Sequence, residues 1–396
     1  MDIANARLNT SRQLRNYQLS IHMGGVRLTL AISIAAIWAK VWPIAVAVLF
    51  FGFLILSHEL GHFSMAKLFK IRVNEFAIGM GPKLFGFGKK ETKYVLRALP
   101  FGGSVLMEGE EEATEDPRSF LAQKAWKRFL VLFAGAFVNL MCGLLIMAII
   151  LSMQAGVYSK TVHGFAEGAP SRVSGLMEGD KITKINGKTV FSSIDVFFLL
   201  SRDADGTVDL EVRRGGAKTK LKVRFSMEEN TTGNASIQQD FGLFVEKIQP
   251  LNVIKYAVLE SVSVARMVWL SLLDMATGKF RLSDMSGPIG VVTIISDQAK
   301  EAQQSAQEGG EAFKEALLNF LFLLALISIN IGVMNLLPIP ALDGGRLLFL
   351  IVEMIFRKPI PKKFEAWVHG IGLLLLLLFM LVISFSDIVS LVQGKR

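Results

Sequence analysis

The stretch FFGFLILSHELGHFSMAKLF, residues 50–69, places two histidines and a glutamate inside an otherwise apolar segment. Residues 129–153, 317–337 and 368–385 contain no charged side chain over 25, 21 and 18 positions. Each of these segments can cross a hydrocarbon core of about 30 Å as a helix. The sequence therefore predicts a polytopic α-helical membrane protein with four core transmembrane helices, the first of which carries polar chemistry.

The overall composition supports a membrane protein and argues against a fully water-soluble enzyme. Hydrophobic residues make up 52% of the 396 positions, against roughly 45–50% in soluble domains. The net charge of +9 does not indicate a nucleic-acid partner, because eleven lysines and arginines lie between Lys70 and Arg128 and flank two membrane segments, as the positive-inside tendency predicts. Cys142 is the only cysteine, which excludes an intrachain disulfide and a CxxC metal site.

The polar residues of the first core segment form the pattern HELGH, residues 58–62. Positions four apart share one face of a helix, so His58 and His62 can bind one metal ion while Glu59 reaches the attacking water. Imidazole nitrogens suit zinc, and a catalytic zinc needs a third protein ligand and an open position. Polar side chains in an apolar span are costly unless something offsets them, and a metal ion does so. We therefore predict one catalytic Zn²⁺ per chain.

A second polar motif, NLLPIPALDGG at residues 335–345, closes the uncharged segment 317–337. Its single carboxylate, Asp343, is a candidate third ligand from another membrane helix. Alternatively, Asp343 caps a helix from Arg346 to Phe356, because aspartate is a favoured N-cap. Position alone does not separate these two roles.

Three other regions differ in character from the apolar segments. Glycine-punctuated alternating runs between residues 71 and 126 predict a small β-loop with a turn at residues 100–103. Alternating runs between residues 160 and 225 predict an inserted soluble β domain. Leu251 to Met275 is apolar with helical spacing and few charges, which favours an amphipathic helix on the outer membrane face. This helix could brace the β domain or gate entry to the site.

HELGH in the first core helix, together with NxxPxPxLDGG in a later one, resembles the site-2 protease family of intramembrane zinc metalloproteases. The resemblance implies that His58, His62 and Asp343 are the zinc ligands and that Glu59 is the catalytic base. Asn335 matches the asparagine of the family motif, which helps to hold the substrate backbone.

The resemblance covers roughly residues 42–392. Residues 79–103 resemble the family's membrane-associated β-loop, and SGPIG at 286–290 resembles its SGPxG segment. Residues 168–190 resemble the PDZ signature of bacterial proteases, which indicates the bacterial RseP/RasP type with a single PDZ domain. Ala136 stands where many relatives have proline, so detail in that helix transfers less directly.

The resemblance also implies how the protein acts on its substrate. The substrates would be single-pass transmembrane segments, of the anti-sigma factor or remnant signal peptide type, trimmed beforehand by another protease. Because a helix hides its peptide bonds, the segment must unwind, and an edge strand could hold it extended by backbone hydrogen bonds. The residues expected to form this strand are Val95, Leu96, Arg97, Ala98 and Leu99.

The implied location is the cytoplasmic (inner) membrane, where the multi-pass chain contacts lipid. The PDZ-like domain would lie outside and the active site toward the cytoplasmic side, since the basic loops 70–128 and 346–363 should both be cytoplasmic. The alternative function is a membrane metal-binding or PDZ scaffold protein with a structural zinc and no proteolytic activity. Three protein ligands and a glutamate base argue against it, because structural zinc normally has four protein ligands.

These patterns divide the chain into five regions. They are an N-terminal extension (1–41), a membrane core with the HELGH helix, the β-loop and the second core helix (42–156), a PDZ-like domain (157–247), an amphipathic or interfacial connecting region (248–312), and a membrane core with the NxxPxPxLDGG motif and the last helix (313–396).

The N-terminal extension is the region with two open interpretations. Lys40 and Pro43 predict a helix break, since proline fits best in the first turn of a helix. Residues 20–40 then either lie along the interface or form a fifth crossing. A crossing would bring three N-terminal arginines to the cytoplasm, whereas Leu28 to Ala39 is short for a full span of about 20 residues.

Overall fold

The structure is a computed structural model that describes residues 17–23, 26–32, 34–88, 91–110, 112, 114–203, 205–229, 235–278 and 287–392. The strands in these ranges are β1 Tyr17–Met23, β2 Val26–Ile32, β3 Val73–Phe87, β4 Lys93–Met107, β5 Gly156–Phe165, β6 Lys181–Ile185, β7 Lys188–Thr189, β8 Thr207–Arg214, β9 Ala217–Arg224, β10 Ser226–Glu229, β11 Ala235–Gln238 and β12 Phe241–Lys247. The α-helices in these ranges are α1 Ile34–Leu68, α2 Ala125–Met153, α3 Pro170–Val173, α4 Ser193–Ser201, α5 Val253–Ala276, α6 Pro288–Glu308, α7 Gly310–Leu336, α8 Asp343–Phe356 and α9 Lys362–Val392.

Helices α1, α2, α7 and α9 contain the four predicted core segments, and each is long and apolar enough to cross a membrane. Within the described residues, α5 with its preceding turn also meets this criterion of length and composition. The chain is therefore a polytopic helical membrane protein that carries β-sheets between its helices.

The structure corrects the predictions for the region before the first core helix. Strands β1 and β2 pair antiparallel, with Tyr17 opposite Ile32 and Met23 opposite Val26. In the described residues, 17–23 and 26–32 are therefore strands and residues 34–40 belong to α1, so the alternative of a separate fifth crossing at residues 20–40 is not observed. Helix α1 also continues through Pro43 without the predicted break, as membrane helices tolerate proline when the surroundings satisfy the freed backbone groups. The N-terminal arginines lie outside the described residues.

Helix α2 lies at the centre of the membrane part, packed against α1, α5, α7 and α8. Glycines at the helix crossings let the helices approach closely. A Cβ at Gly61 of α1 would lie 2.4 Å from the Ala134 carbonyl oxygen, and one at Gly143 would lie 2.4 Å from Ile329 of α7. Both crossings therefore depend on the absence of a side chain.

The β domain contains one larger sheet in the order β12-β5-β6-β8-β9, with β7 paired to β6. Its core residues are buried together: Val162, Leu176, Ile182, Ile185, Val190, Val196, Leu200, Val208, Leu210, Val212 and Val223. Strands are present in the region predicted to form the β domain, together with the short helix α4. The domain thus has its own hydrophobic core, separate from the helix bundle.

Helix α5 contacts both the β domain and the bundle. Toward the bundle, Ala257 and Val264 pack with Ile146 and Ile329 in one hydrophobic cluster. Toward the β domain, Leu270 joins the domain's core. Asp274 accepts two hydrogen bonds of 2.5 Å from Arg202, Arg266 forms an ion pair with Asp195, and Ser263 donates to Asp195 at 2.9 Å. These contacts join the soluble domain to the membrane helices.

Replacing Gly61 by alanine should weaken the protein, because the new methyl group would collide with the α2 backbone. We expect Gly61→Ala to lose about 1–3 kcal/mol, the usual range for overpacking. The matched control is Gly52→Ala on the same helix, where a Cβ meets no atom within 4 Å and alanine should be neutral or favourable. Thermal unfolding in detergent measures the difference, and equal stability of the two variants would contradict the close crossing.

Candidate metal centre

The two histidines of HELGH lie one turn apart on α1, and their rings approach each other. His58 Nε2 and His62 Nε2 are 3.1 Å apart. The Asp343 carboxylate reaches both rings from α8: its Oδ2 lies 3.1 Å from His58 Nε2 and 3.2 Å from His62 Nε2. The sequence-predicted ligand set is therefore brought together by the fold.

These three side chains fit a zinc ion. Asp343 Oδ2 is buried without a hydrogen-bond partner, so its lone pair and those of the imidazoles are directed at a shared point. Ligands about 2.0 Å from a tetrahedral zinc lie roughly 3.3 Å from one another, close to the observed separations of 3.1–3.2 Å. Among the described residues, these form a cluster that could hold a metal ion.

A hydrogen bond to α2 orients the His62 ring. His62 Nδ1 lies 2.8 Å from the backbone oxygen of Val131, a residue that is fully buried. Because a carbonyl only accepts, Nδ1 carries the proton, and Nε2 keeps its lone pair for the metal. Gly135 makes room for this arrangement, since a Cβ there would lie 2.2 Å from His62 Nε2.

Asp343 is the first residue of α8, so that helix begins three residues earlier than the sequence predicts. The residue before it, Leu342, is the N-cap and makes no side-chain cap hydrogen bond. The Asp343 carboxylate turns toward the histidines, and the helix N-terminus still favours its negative charge. Leu347 and Leu350 pack against Val131 and Leu132 of α2, which fixes α8 across the histidine pair.

An ion pair also connects α8 to α2. Arg128, only 7% exposed, donates to Glu353 at 2.5 Å. Removing one partner would leave a buried charge, which is strongly destabilising. The pair therefore holds the helix that carries Asp343 at a set depth beside α2.

Glu59 lies beside the edge of the β-loop. A Cβ at Gly103 would lie 2.7 Å from Glu59 Cγ and 3.0 Å from its Oε1. The site opens into a cavity of about 290 Å³ lined by Glu59, the three candidate ligands and Gly103 to Met107 of β4. Glu59 thus lies beside both the metal position and a strand of the β-loop.

The order of segments in the β-loop corrects the predicted substrate strand. Val95 pairs with Ala77 on one side and with Gly86 on the other, and Leu96 likewise pairs with Ile78 and Phe85. Val95 and Leu96 are therefore interior and do not form the predicted edge, whereas Arg97 and Leu99 each have one partner, on β3. The edge beside the site is the returning segment 103–107, which pairs only with residues 73–78 of β3 in the described registers. Strand patterns in the sequence predict that strands exist, whereas pairing across turns decides which one is at the edge.

Four other predicted substrate contacts do not line the cavity at the metal position. Arg97 donates to Glu75 at 2.6 Å and to the Gly81 carbonyl at 3.0 Å, so its guanidinium stabilises the β-loop itself. Asn335 lies half-buried in the last turn of α7 and does not line the cavity at Glu59. Ala98 and Leu99 also do not line this cavity.

Asn139 is a polar residue within the uncharged segment 129–153. Its amide is fully buried and lies 3.5 Å from His58 Nδ1 and 2.8 Å from the Ser57 hydroxyl. The Ser57 hydroxyl also donates to the Leu54 carbonyl at 2.9 Å.

The donors and acceptors around Asn139 determine which way its side-chain amide faces. With its NH₂ toward a zinc-binding His58, two donors would meet, and the single Ser57 proton would have to serve both Leu54 and Asn139. With the amide carbonyl toward His58, His58 Nδ1 donates to Asn139, Asn139 donates to Ser57, and Ser57 donates to Leu54. Asn139 then orients His58 as Val131 orients His62. The signal available in the sequence was a lone amide within an apolar segment.

A larger chamber adjoins the metal cavity. It has a volume of about 800 Å³ and shares Glu110, Leu132 and Arg346 with the metal cavity. Arg346 donates to Glu110 at 2.5 Å across the shared wall. Burial disfavours the charged guanidinium, but the Glu110 carboxylate outweighs burial and raises the pKa of Arg346 above its usual value. The Arg346 guanidinium therefore stays charged at physiological pH.

A histidine pair on a membrane helix, a carboxylate from a second helix and an adjacent glutamate base together define a membrane metallopeptidase. The chain belongs to peptidase family M50, whose sequence model matches residues 46–379, and it is a zinc metalloprotease. The regulator of sigma-W protease RasP of Bacillus subtilis is 29% identical over 424 residues, covering 86% of this chain and 97% of that protein.

Two further relatives are named as zinc metalloproteases. The zinc metalloprotease RasP of Bacillus licheniformis is also 29% identical over 424 residues, with the same coverage of 86% and 97%. A relative from Clostridium perfringens, whose assigned name is a zinc metalloprotease, is 37% identical over 344 residues, covering 87% of this chain and 97% of its own. The predicted family resemblance, the protease class and the zinc cofactor are thereby confirmed.

Replacing Asn139 by leucine should weaken zinc binding without removing a ligand, because His58 would lose the partner that orients its ring. We expect the zinc dissociation constant to rise about 10–100-fold, as for other lost partners of metal ligands. Competition with a chromogenic chelator measures it. The control is Ser328→Ala, since the Ser328 hydroxyl donates to the Asn139 backbone oxygen at 2.7 Å and not to its amide. Equal zinc affinity in Asn139→Leu and the wild type would contradict the orienting role.

Proposed function

We propose that the protein is an endopeptidase that cleaves single-pass transmembrane segments inside the membrane, with His58, His62 and Asp343 holding zinc and Glu59 acting as base. The observation that supports this most directly is the convergence of the three candidate ligands at 3.1–3.2 Å beside Glu59. The site is formed by a candidate membrane span and by a helix packed against another one.

When bound, zinc polarises a carbonyl and makes water a nucleophile near neutral pH. The residues of the chain supply the remaining steps. Glu59 accepts a proton from the attacking water at its carboxylate and donates it to the leaving amine. Gly103 keeps the strand backbone against the Glu59 side chain, which restricts where this carboxylate can turn.

The substrate would bind as an added strand. A transmembrane helix uses its backbone hydrogen bonds internally, so a segment must unwind before its carbonyl can be attacked. The free edge of residues 103–107 offers backbone groups to an extended peptide beside Glu59. This edge takes the role that the sequence predicts for residues 95–99.

The relatives support a substrate of the regulatory type. The name of the Bacillus subtilis relative refers to regulation of sigma-W, which favours an anti-sigma factor as substrate, with remnant signal peptides as the related class. Prior trimming by another protease would explain a β domain beside the membrane core. That domain, residues 157–247, would act as a PDZ-like filter braced by α5, which it contacts through Asp195 and Arg202.

The proposed orientation follows from the basic loops. Residues 70–128 and 346–363 would face the cytoplasm, and the β domain would lie outside. The active site would then lie toward the cytoplasmic side of the inner membrane, where the 800 Å³ chamber adjoins it.

Replacing Glu59 by glutamine should abolish cleavage and leave zinc in place. The amide is nearly isosteric but cannot accept the proton, so a loss of at least 10²-fold is expected. His58→Ala and Asp343→Ala should lose both zinc and activity. Cleavage of a transmembrane peptide in detergent and zinc analysis of the same samples measure this. Full activity in Glu59→Gln would contradict the proposed mechanism. Undiminished zinc content in Asp343→Ala would show that Asp343 is not a ligand and would favour the helix-capping role.

Cross-linking should distinguish the two candidate substrate strands. Leu106 and Leu96 are matched in exposure, at 49% and 47%, but only Leu106 lies on the edge that lines the metal cavity. We would place a single cysteine at either position in a Cys142→Ala, Glu59→Gln background and add a substrate with one cysteine near its cleavage site. A disulfide should form at position 106 and not at position 96. Cross-linking at position 96 alone would overturn the edge assignment.

A further inference from the structure

His369 on α9 lies outside the metal centre and contacts the turn that leads into Asp343. The backbone N–H of Ala341 donates to His369 Nδ1 at 2.9 Å. Because Nδ1 accepts, the ring proton resides on Nε2, and Nε2 is buried without a hydrogen-bond partner. The ring stacks edge-to-face on Phe349 of α8, with centroids 5.6 Å apart. Within the described residues, this bond is the one hydrogen bond of the imidazole.

The turn that His369 contacts has an unusual backbone. Ala341 has φ +75°, a left-handed conformation that a residue with a Cβ rarely adopts. Such a conformation persists only where the surrounding structure imposes it. Ala341 is separated from Asp343 by one residue, so its φ directs the chain into the first turn of α8.

Close packing holds the same turn from two sides. A Cβ at Gly344 would lie 1.9 Å from the Leu337 carbonyl oxygen, and one at Gly345 would lie 2.6 Å from that of Ile339. On the other side, a Cβ at Gly372 would lie 2.3 Å from Pro340. His369 and Gly372 are three positions apart and so share one face of α9. This face packs on the turn, and His369 supplies a directional contact there.

We propose that His369 is a positioning residue for the zinc site. His369 holds Ala341 in its left-handed conformation and thereby places Asp343 Oδ2 beside the two histidines. The proposal rests on the ligand role given to Asp343 above. A carboxylate ligand must lie within about 0.2 Å of its metal distance, and a change of φ at Ala341 would rotate the start of α8. His369 thus acts on the metal through a backbone turn and without touching it.

The test compares two replacements of His369 that differ in one property. Asparagine keeps an acceptor at the position of Nδ1, and leucine fills similar space without one. We expect His369→Leu to raise the zinc dissociation constant about 10–100-fold and His369→Asn to stay within about threefold of the wild type, since the acceptor is retained. The readout is chelator competition on detergent-purified full-length protein. Gly370→Ala is the control on the same helix, because a Cβ there meets no atom within 4 Å.

A second background separates positioning from general damage. Glycine adopts the left-handed conformation freely, so Ala341→Gly should reduce the effect of His369→Leu on zinc affinity several-fold. Unchanged zinc affinity in His369→Leu would overturn the proposal. An equal loss in both His369 variants, not reduced by Ala341→Gly, would also overturn it and indicate a packing role.

The comparison with Asp343→Ala distinguishes this proposal from the proposed function. If Asp343→Ala keeps its zinc, the ligand set is wrong and the proposed function fails with it. If Asp343→Ala loses zinc while His369→Leu binds it like the wild type, only the role of His369 fails.

Discussion

The convergence of His58 Nε2, His62 Nε2 and Asp343 Oδ2 is the constraint on which the rest of the structure depends. Each atom carries a lone pair in the interior of a membrane protein, where an unmatched polar group is costly. A shared zinc ion satisfies all three, but only if α1 and α8 are held at one depth and distance. The packing of α8 on α2 and the Arg128–Glu353 ion pair hold α8 at that depth and distance.

Close helix packing follows from the same requirement. Helix α2 packs against both α1 and α8, and Gly61 and Gly135 present no side chain at its contact with α1. The close approach also brings the Val131 carbonyl and the Asn139 amide to the outer nitrogens of the two histidines. Helix α2 therefore lies against both candidate ligand histidines and places a polar group beside the outer nitrogen of each.

The β-loop lies beside the metal centre, and its edge is where we propose that an extended peptide binds. Its edge segment 103–107 lies against Glu59, while the interior segment is paired on both sides. In the proposed mechanism, the residues that cleave the peptide and the strand that binds it are therefore adjacent in space but come from separate parts of the chain. The β domain is attached to α5 at some distance in sequence from both, which suits a role in selecting substrates and not in catalysis.

Local patterns in the sequence determined the membrane helices, the HELGH face, the β-loop and the inserted β domain, because hydrophobic period and length are properties of short segments. They left Asp343 with two roles, misplaced the edge strand and predicted a helix break at Pro43. Those features depend on contacts between distant segments: the approach of α8 to α1, the pairing of residues 95–96 on both sides, and the environment that satisfies the backbone around a proline. Only the tertiary structure decided them, since no local pattern records which distant atoms will meet.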